Sequence, residues 1–328
     1  MPASKMPTLP VIDFSPYVDL NSTEASKQAV AQEIDRACRE VGFFYLSNHG
    51  VDVSLLQQMI DNARTFFDTA SDEEKDAIKI KPAGDGLGDL SRGFQRVDGG
   101  AKGSHEAVDI FRPVDNSAGP PYEIGLGENQ WPTVPKNFRE VSERYVDGLL
   151  TLATQLMRVI AIGLGVDEQL FLSRIDKSFW NLRILGYKAT DPEATTPSVS
   201  GIGEHTDFGI LTLLLTDPQK NSLQVWSKSG EWMAADPIPG CFVINLGDML
   251  SKWTDGQYVS TKHRVLHNSS KARISVPFFF DPNMDAHISP VLPLDGSARE
   301  DEGILYREKF LRAMQYTVIT DPNYSCTT

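Results

Sequence analysis

The chain has 328 residues, 41% hydrophobic and 23% charged, an ordinary globular balance. Its formal net charge is -13 and it contains no block of five or more basic residues. A nucleic-acid or anionic-membrane partner is therefore not expected, because phosphate surfaces need a concentrated positive face. No obligate protein partner is evident. Three cysteines, Cys38, Cys241 and Cys326, do not make a disulfide framework and point to a reducing compartment. No apolar stretch follows Met1 as a secretory signal would, and no apolar run reaches membrane-spanning length, so the expected location is cytoplasmic.

In chain order, Leu9–Phe14 reads as a short buried strand. A helix follows over 23–41, with Val30, Ile34, Ala37 and Val41 recurring at the spacing of one helix face. Gly42–Ser47 is an aromatic strand ending in the turn Asn48-His49-Gly50. Val53–Ala70 is a second helix, and Ser71-Asp-Glu-Glu74 is a capping box that opens a third. Residues 81–134 are rich in Gly, Pro and Asp and lack periodicity, the character of a segment covering a site. A strong amphipathic helix spans Asn137–Leu164.

From Phe179 onward the pattern turns to strands: Trp180–Tyr187, Ile210–Thr216, Leu223–Trp226, Trp232–Ala235, Cys241–Asn245, Val259–Val265 and Ile274–Phe280, separated by turn signals such as Asp217-Pro218 and Pro239-Gly240. Short strands without intervening helices predict a sandwich or jelly roll. A last helix covers Gly303–Tyr316. The chain is expected to be one structural unit, 1–328, of mainly β class with helical decoration. Its expected parts are an N-terminal region 1–135, a support helix and connector 136–178, a jelly-roll core 179–283 and a C-terminal segment 284–328.

Two imidazoles and a carboxylate form the ligand set of a mononuclear non-haem Fe(II) site. His205 and Asp207 stand two apart at the start of an expected strand, so both side chains should leave one face. His263, on a later strand, completes the set, and His267 competes for that third position. His49, His105 and His287 fall in expected loops and show no ligand pattern. Arg273 and Ser275 share one strand face, where a guanidinium fork and a hydroxyl suit the far carboxylate of a dicarboxylate such as 2-oxoglutarate. The Tyr187 phenol is placed to join them. Arg183 alternates onto the face of Tyr187 and either pairs with an acidic substrate or orders the sheet. Phe208, Trp226 and Phe279 are candidate pocket aromatics, with core packing the alternative for each.

These motifs resemble the isopenicillin N synthase-like branch of the 2-oxoglutarate- and Fe(II)-dependent dioxygenases. The resemblance runs through Leu9-Pro-Val-Ile-Asp-Phe14, Ala37–Val51, Asn129-Gln-Trp-Pro132, Gly203-Glu-His-Thr-Asp-Phe-Gly209, Asn245-Leu-Gly-Asp248, His263-Arg-Val265 and Arg273-Ile-Ser275. It implies a double-stranded β-helix core, with His205, Asp207 and His263 as Fe(II) ligands. It also implies Arg273, Ser275 and Tyr187 at 2-oxoglutarate, O2 as oxidant and ascorbate as reductant in vitro. Leu185 stands where the family often has Asn, and His267 where it usually has an apolar residue. The expected activity is oxidation of a C–H bond in a small organic metabolite, by hydroxylation, desaturation or ring rearrangement in secondary metabolism, with release of succinate and CO2. Competing readings are a ferrous oxidase of the same fold that does not use 2-oxoglutarate, and a non-catalytic jelly-roll binding protein.

Overall fold

A computed structural model of the chain describes residues 8–80, 92–98, 104–114, 127–191, 200–290 and 303–318. Parts of the expected covering segment, 81–91, 99–103 and 115–126, lie outside the described residues.

The N-terminal part runs β1 (Val11–Asp13), α1 (Ser15–Val18), α2 (Glu24–Glu40), β2 (Phe43–Ser47), α3 (Val53–Thr69) and α4 (Asp72–Ala77). Helix α2 starts where the Thr23 hydroxyl accepts from the Ser26 amide, and it buries Val30, Ile34, Ala37 and Cys38 along one face. The capping box at α4 forms as expected: the Ser71 hydroxyl accepts from the Glu74 amide at 3.2 Å, and the Glu74 carboxylate from the Ser71 amide at 2.8 Å. Next come β3 (Gly93–Asp98) and β4 (Ser104–Phe111), an antiparallel hairpin inside the segment expected to lack regular structure. Its strands are about half apolar and half polar, so period-2 alternation is masked by polar residues, some of them buried in ion pairs. Helix α5 (Phe138–Leu164) ends at Gly165, whose φ of 69° is the left-handed cap conformation that glycine adopts without steric cost.

Helix α5 is long and apolar enough to cross a membrane by length and composition, contrary to expectation, but its apolar face packs on α2 and α3. Its N-cap Asn137 makes no side-chain cap bond. A cap is worth about 1 kcal/mol and each fully buried large apolar side chain about 1.5–3 kcal/mol, so packing of residues such as Tyr145, Leu149 and Leu156 is what fixes this helix.

After α6 (Gln169–Leu172) the chain forms β5 (Trp180–Tyr187), β6 (Ser200–His205), β7 (Leu211–Thr216), β8 (Leu223–Trp226), β9 (Trp232–Ala234) and β10 (Phe242–Leu246). Then follow α7 (Asp248–Trp253), β11 (His263–His267), β12 (Arg273–Phe280), β13 (His287–Ile288), β14 (Ile304–Leu305) and α8 (Tyr306–Val318). The sheet order is β1-β2-β10-β7-β12-β5-β4-β6-β11-β8-β9, with β3 beside β4. The join between β4 and β6 is one parallel pair, Ser104 with Ser200, so the sheet folds there into two layers. This is the jelly-roll core. Helices α2, α3 and α5 cover the outer face of the larger layer in the main apolar core. A second cluster, including Phe43, Leu185, Tyr187, Val225 and Val265, fills the space between layers and leaves a cavity beside it.

Candidate active site

The cavity of about 370 Å³ lies between the two layers, and it is of metabolite size. His205 ends β6 and His263 begins β11, directly paired across these strands. Asp207 lies beyond the end of β6, so the expected shared strand face is not what brings it to His205. A turn does so, held where the Asp248 amide donates to the Asp207 carbonyl at 2.7 Å.

Three donor atoms converge within 4.8 Å of one another. His205 Nε2 lies 3.7 Å and His263 Nε2 3.6 Å from Asp207 Oδ1. Each imidazole donates its Nδ1–H to a backbone carbonyl, Gly203 at 2.8 Å and Thr261 at 3.1 Å. That tautomer turns the Nε2 lone pairs toward the common point. The other oxygen of Asp207, Oδ2, accepts from the Thr212 hydroxyl at 2.5 Å and the Asn245 amide at 2.7 Å, which leaves Oδ1 for the cluster. Burial acts to raise the Asp207 carboxyl, but the two imidazoles and these two hydrogen bonds outweigh it and hold it below the usual range. Burial, reinforced by His205, lowers His263. The site thus offers an ionised carboxylate and a neutral imidazole lone pair, the donor chemistry that a divalent cation requires.

Arg273 opens β12 and is 1% exposed, yet among the described residues its Nε and Nη1 have no hydrogen-bond partner. A buried guanidinium with unmet donors is costly unless an anion completes it. The Tyr187 ring lies under it at 4.9 Å, and the Ser275 hydroxyl donates to the Tyr187 hydroxyl at 3.4 Å. Arg273, Ser275 and Tyr187 therefore meet in one corner of the cavity, and the corner fits a carboxylate.

Arg183, Phe208 and Phe279 line the same cavity. Trp226 does not. It is 38% exposed and packs edge-on against Trp232, because the side chains of β8 alternate and Trp226 takes the outward side. His267 is no ligand: its Nδ1 meets the Ser222 hydroxyl at 3.1 Å and its Nε2 the Lys271 carbonyl at 2.8 Å. His105, expected in a loop, lies in β4 on the cavity wall. Sequence reasoning missed it together with Asp109, Thr212 and Asp281. Asn245 alone carried a signal, as the first residue of Asn245-Leu-Gly-Asp248.

Comparison with known proteins agrees with this geometry. Residues 9–134 match the family described as non-haem dioxygenase in morphine synthesis N-terminal, and residues 180–282 match the 2OG-Fe(II) oxygenase superfamily. The chain is 39% identical to homoarginine-6-hydroxylase 2-ODD-C23 of Glycine max, over 88% of this chain and 90% of that one. It is 35% identical to the 2-oxoglutarate-dependent dioxygenase caaD of Aspergillus niger, over 93% of both. Among solved structures, a full-length Neurospora crassa protein in complex with alpha-KG superimposes with a TM-score of 0.82 at 26% identity, covering 94% of this chain and 96% of that one.

Proposed function

The chain belongs to the 2-oxoglutarate- and Fe(II)-dependent oxygenase superfamily, and from that premise we propose how its own residues carry the reaction. It is a non-haem dioxygenase that oxidises a small organic metabolite. His205, Asp207 and His263 hold the Fe(II), and Arg273 with Ser275 and Tyr187 holds the far carboxylate of 2-oxoglutarate. The observation that carries the assignment is the buried, unpartnered Arg273 fork in the same cavity as the three converging donor atoms.

When bound, iron and 2-oxoglutarate supply the oxidant for the substrate C–H bond, with succinate and CO2 as co-products. The chain supplies position and dryness. Thr212 and Asn245 fix which Asp207 oxygen faces the metal. Phe43 packs edge-on against His263 at 5.2 Å and restricts the ring. Phe208 and Phe279 make the wall beside the donor atoms apolar, which excludes water from the reacting centre.

For the substrate we take homoarginine as the first candidate, because a relative of 39% identity across nearly the whole chain is named for its hydroxylation. The acidic balance of -13 supports a small-molecule enzyme without nucleic-acid, membrane or obligate protein partner. Cys38 and Cys241, both unpaired among the described residues, support a cytoplasmic location.

The test is incubation with Fe(II), ascorbate, 2-oxoglutarate and a metabolite panel containing L-homoarginine, read by mass spectrometry. Succinate release coupled to a gain of one oxygen is expected, and His205→Ala or Asp207→Ala should abolish both. An unchanged rate in either variant would overturn the metal assignment.

A further inference from the structure

Arg183 is the one residue of β5 that is not fully buried. Its side chain is 21% exposed, on the cavity wall, directly across from Asp109 of β4. One nitrogen, Nη1, donates to both Asp109 oxygens, at 3.1 and 3.0 Å. Asp109 also accepts from the Gln95 amide at 3.0 Å and the Asn181 amide at 3.4 Å. Burial raises this carboxyl, and Arg183, Gln95 and Asn181 oppose it. Every neighbour of the carboxyl is a donor, so only the ionised form satisfies them all. Asp109 is thus saturated and acts as a clamp on Arg183.

His105 sets the other side. Its Nδ1–H donates to the Gly201 carbonyl at 3.1 Å, so the Nε2 is an acceptor, 3.5 Å from Arg183 Nη2. Burial, with Arg183 adding to it, pushes this imidazole down to about 3, which keeps it neutral. The two Asp109 oxygens subtend too narrow an angle at Nη1 to take both of its hydrogens, so they share one, and His105 takes one hydrogen of Nη2. Among the described residues the Nε–H has no partner, and Nη1 and Nη2 each keep one further hydrogen. Nε–H and the neighbouring Nη2–H make up one edge of a guanidinium, the fork that grips a planar carboxylate.

This fork is not the seat of 2-oxoglutarate. Arg273 and Ser275 belong to β12, whereas Asp109 and His105 pull the Arg183 head over β4, with β5 between. Strands lie about 4.8 Å apart, so the two anchors are separated by about 10 Å across the sheet. The surroundings differ too. Beyond β4 the cavity is walled by Gln95 and Val97 of β3. Strands β3 and β4 lie within the N-terminal match at 9–134, apart from the 180–282 match that contains the iron and 2-oxoglutarate residues.

We infer that Arg183, clamped by Asp109 and His105, anchors a carboxylate of the primary substrate over β3 and β4, so that the enzyme oxidises carboxylate-bearing metabolites and discriminates against their neutral counterparts. The inference rests on the dioxygenase reading above.

The test uses full-length protein loaded with redox-inert Mn(II) and 2-oxoglutarate. It is titrated with L-homoarginine and its carboxamide, and with a panel of amino acids and short carboxylic acids beside their amides. Acids should bind at least about tenfold tighter than the matched amides, as a charge-assisted fork predicts. Arg183→Gln should erase that preference while 2-oxoglutarate affinity stays within about threefold. Arg183→Lys, which keeps the charge without the fork, should restore part of it and guards against a folding defect. Equal binding of acids and amides, or no binding by any acid, overturns the proposal. Loss of 2-oxoglutarate affinity matching the loss of acid affinity also overturns it. Succinate release by the Fe(II) form without added substrate reports the dioxygenase reading separately, since that turnover does not depend on the substrate anchor.

Discussion

Asn245 donates its side-chain amide to Asp207 Oδ2 at 2.7 Å from near the end of the buried strand β10, and so settles which carboxylate oxygen faces the two imidazoles. The Thr212 hydroxyl reaches the same oxygen at 2.5 Å from β7. Neither residue supplies one of the converging donor atoms. Outer partners of this kind typically tune metal affinity by about 10–100-fold. Asn245→Ala and Thr212→Val should each weaken Mn(II) binding within that range, measured by titration, without abolishing it. A variant that binds metal as tightly as the parent would show that the carboxylate is oriented by the turn alone.

The incomplete hydrogen bonding of Arg273 predicts an inversion of the usual effect of a core substitution. Without an anion, the protein holds a buried cation with two unmet donors, at a cost of about 1–3 kcal/mol for each buried group left unpaired. Arg273→Met should therefore leave the ligand-free melting temperature unchanged or higher. 2-Oxoglutarate should raise the melting temperature of the parent and not of the variant. A large loss of ligand-free stability would mean that Arg273 is already satisfied.

Asp281 offers a test in pH. A Cβ added to Gly209 would lie 1.8 Å from Asp281 Oδ1, so this carboxyl occupies space that glycine leaves open beside the metal loop. It is 3% exposed, and among the described residues its Oδ1 has no hydrogen-bond partner. Burial pushes it up to about 7, with Tyr306 opposing and Asp207 adding. The native state thus keeps a proton that the unfolded chain releases near pH 4. Stability should fall as pH rises from about 4 to about 7 and level off above that, by a few kcal/mol in all. In metal-free protein, Asp281→Asn should gain little at pH 4 and most at pH 8, as read by thermal melts. A gain independent of pH would exclude this carboxyl as the cause.

The candidate metal and co-substrate residues stood out because each sits in a short motif: His205-Thr-Asp207, His263-Arg-Val265 and Arg273-Ile-Ser275. The strand reading of Asp207 was incorrect even so, since a two-residue spacing fits a strand and a turn alike. Most strands from β5 to β12 were found because they are apolar or aromatic runs cut by clear turns. Strand β6 and the β3–β4 hairpin were missed for the opposite reason. Ser200-Gly-Ile-Gly-Glu-His205 has too few apolar side chains to show a period. In β4, Glu106 and Asp109 are buried only because Lys75, Arg96 and Arg183 reach them from elsewhere in the chain. Pairing across such distances leaves no local trace, and that is why the Arg183 clamp was invisible while Arg183 itself was noticed.

Trp226 and Phe279 separate wall from surface. Both are aromatic, both end or nearly end a core strand, and both were candidates for the pocket. The structure puts Phe279 on the cavity wall, paired with Thr212 in the neighbouring strand, and turns Trp226 outward against Trp232. Water exclusion is therefore asked of one and not of the other. Phe279→Ala should admit solvent and uncouple the reaction, so that succinate formed exceeds oxidised product by several-fold, an order-of-magnitude expectation for opening a dry site. Trp226→Ala should leave the ratio of succinate to product near that of the parent, with stability lowered by about 1 kcal/mol or less as for an exposed aromatic pair. Uncoupling by Trp226→Ala, or tight coupling retained by Phe279→Ala, would reverse the assignment of these two side chains.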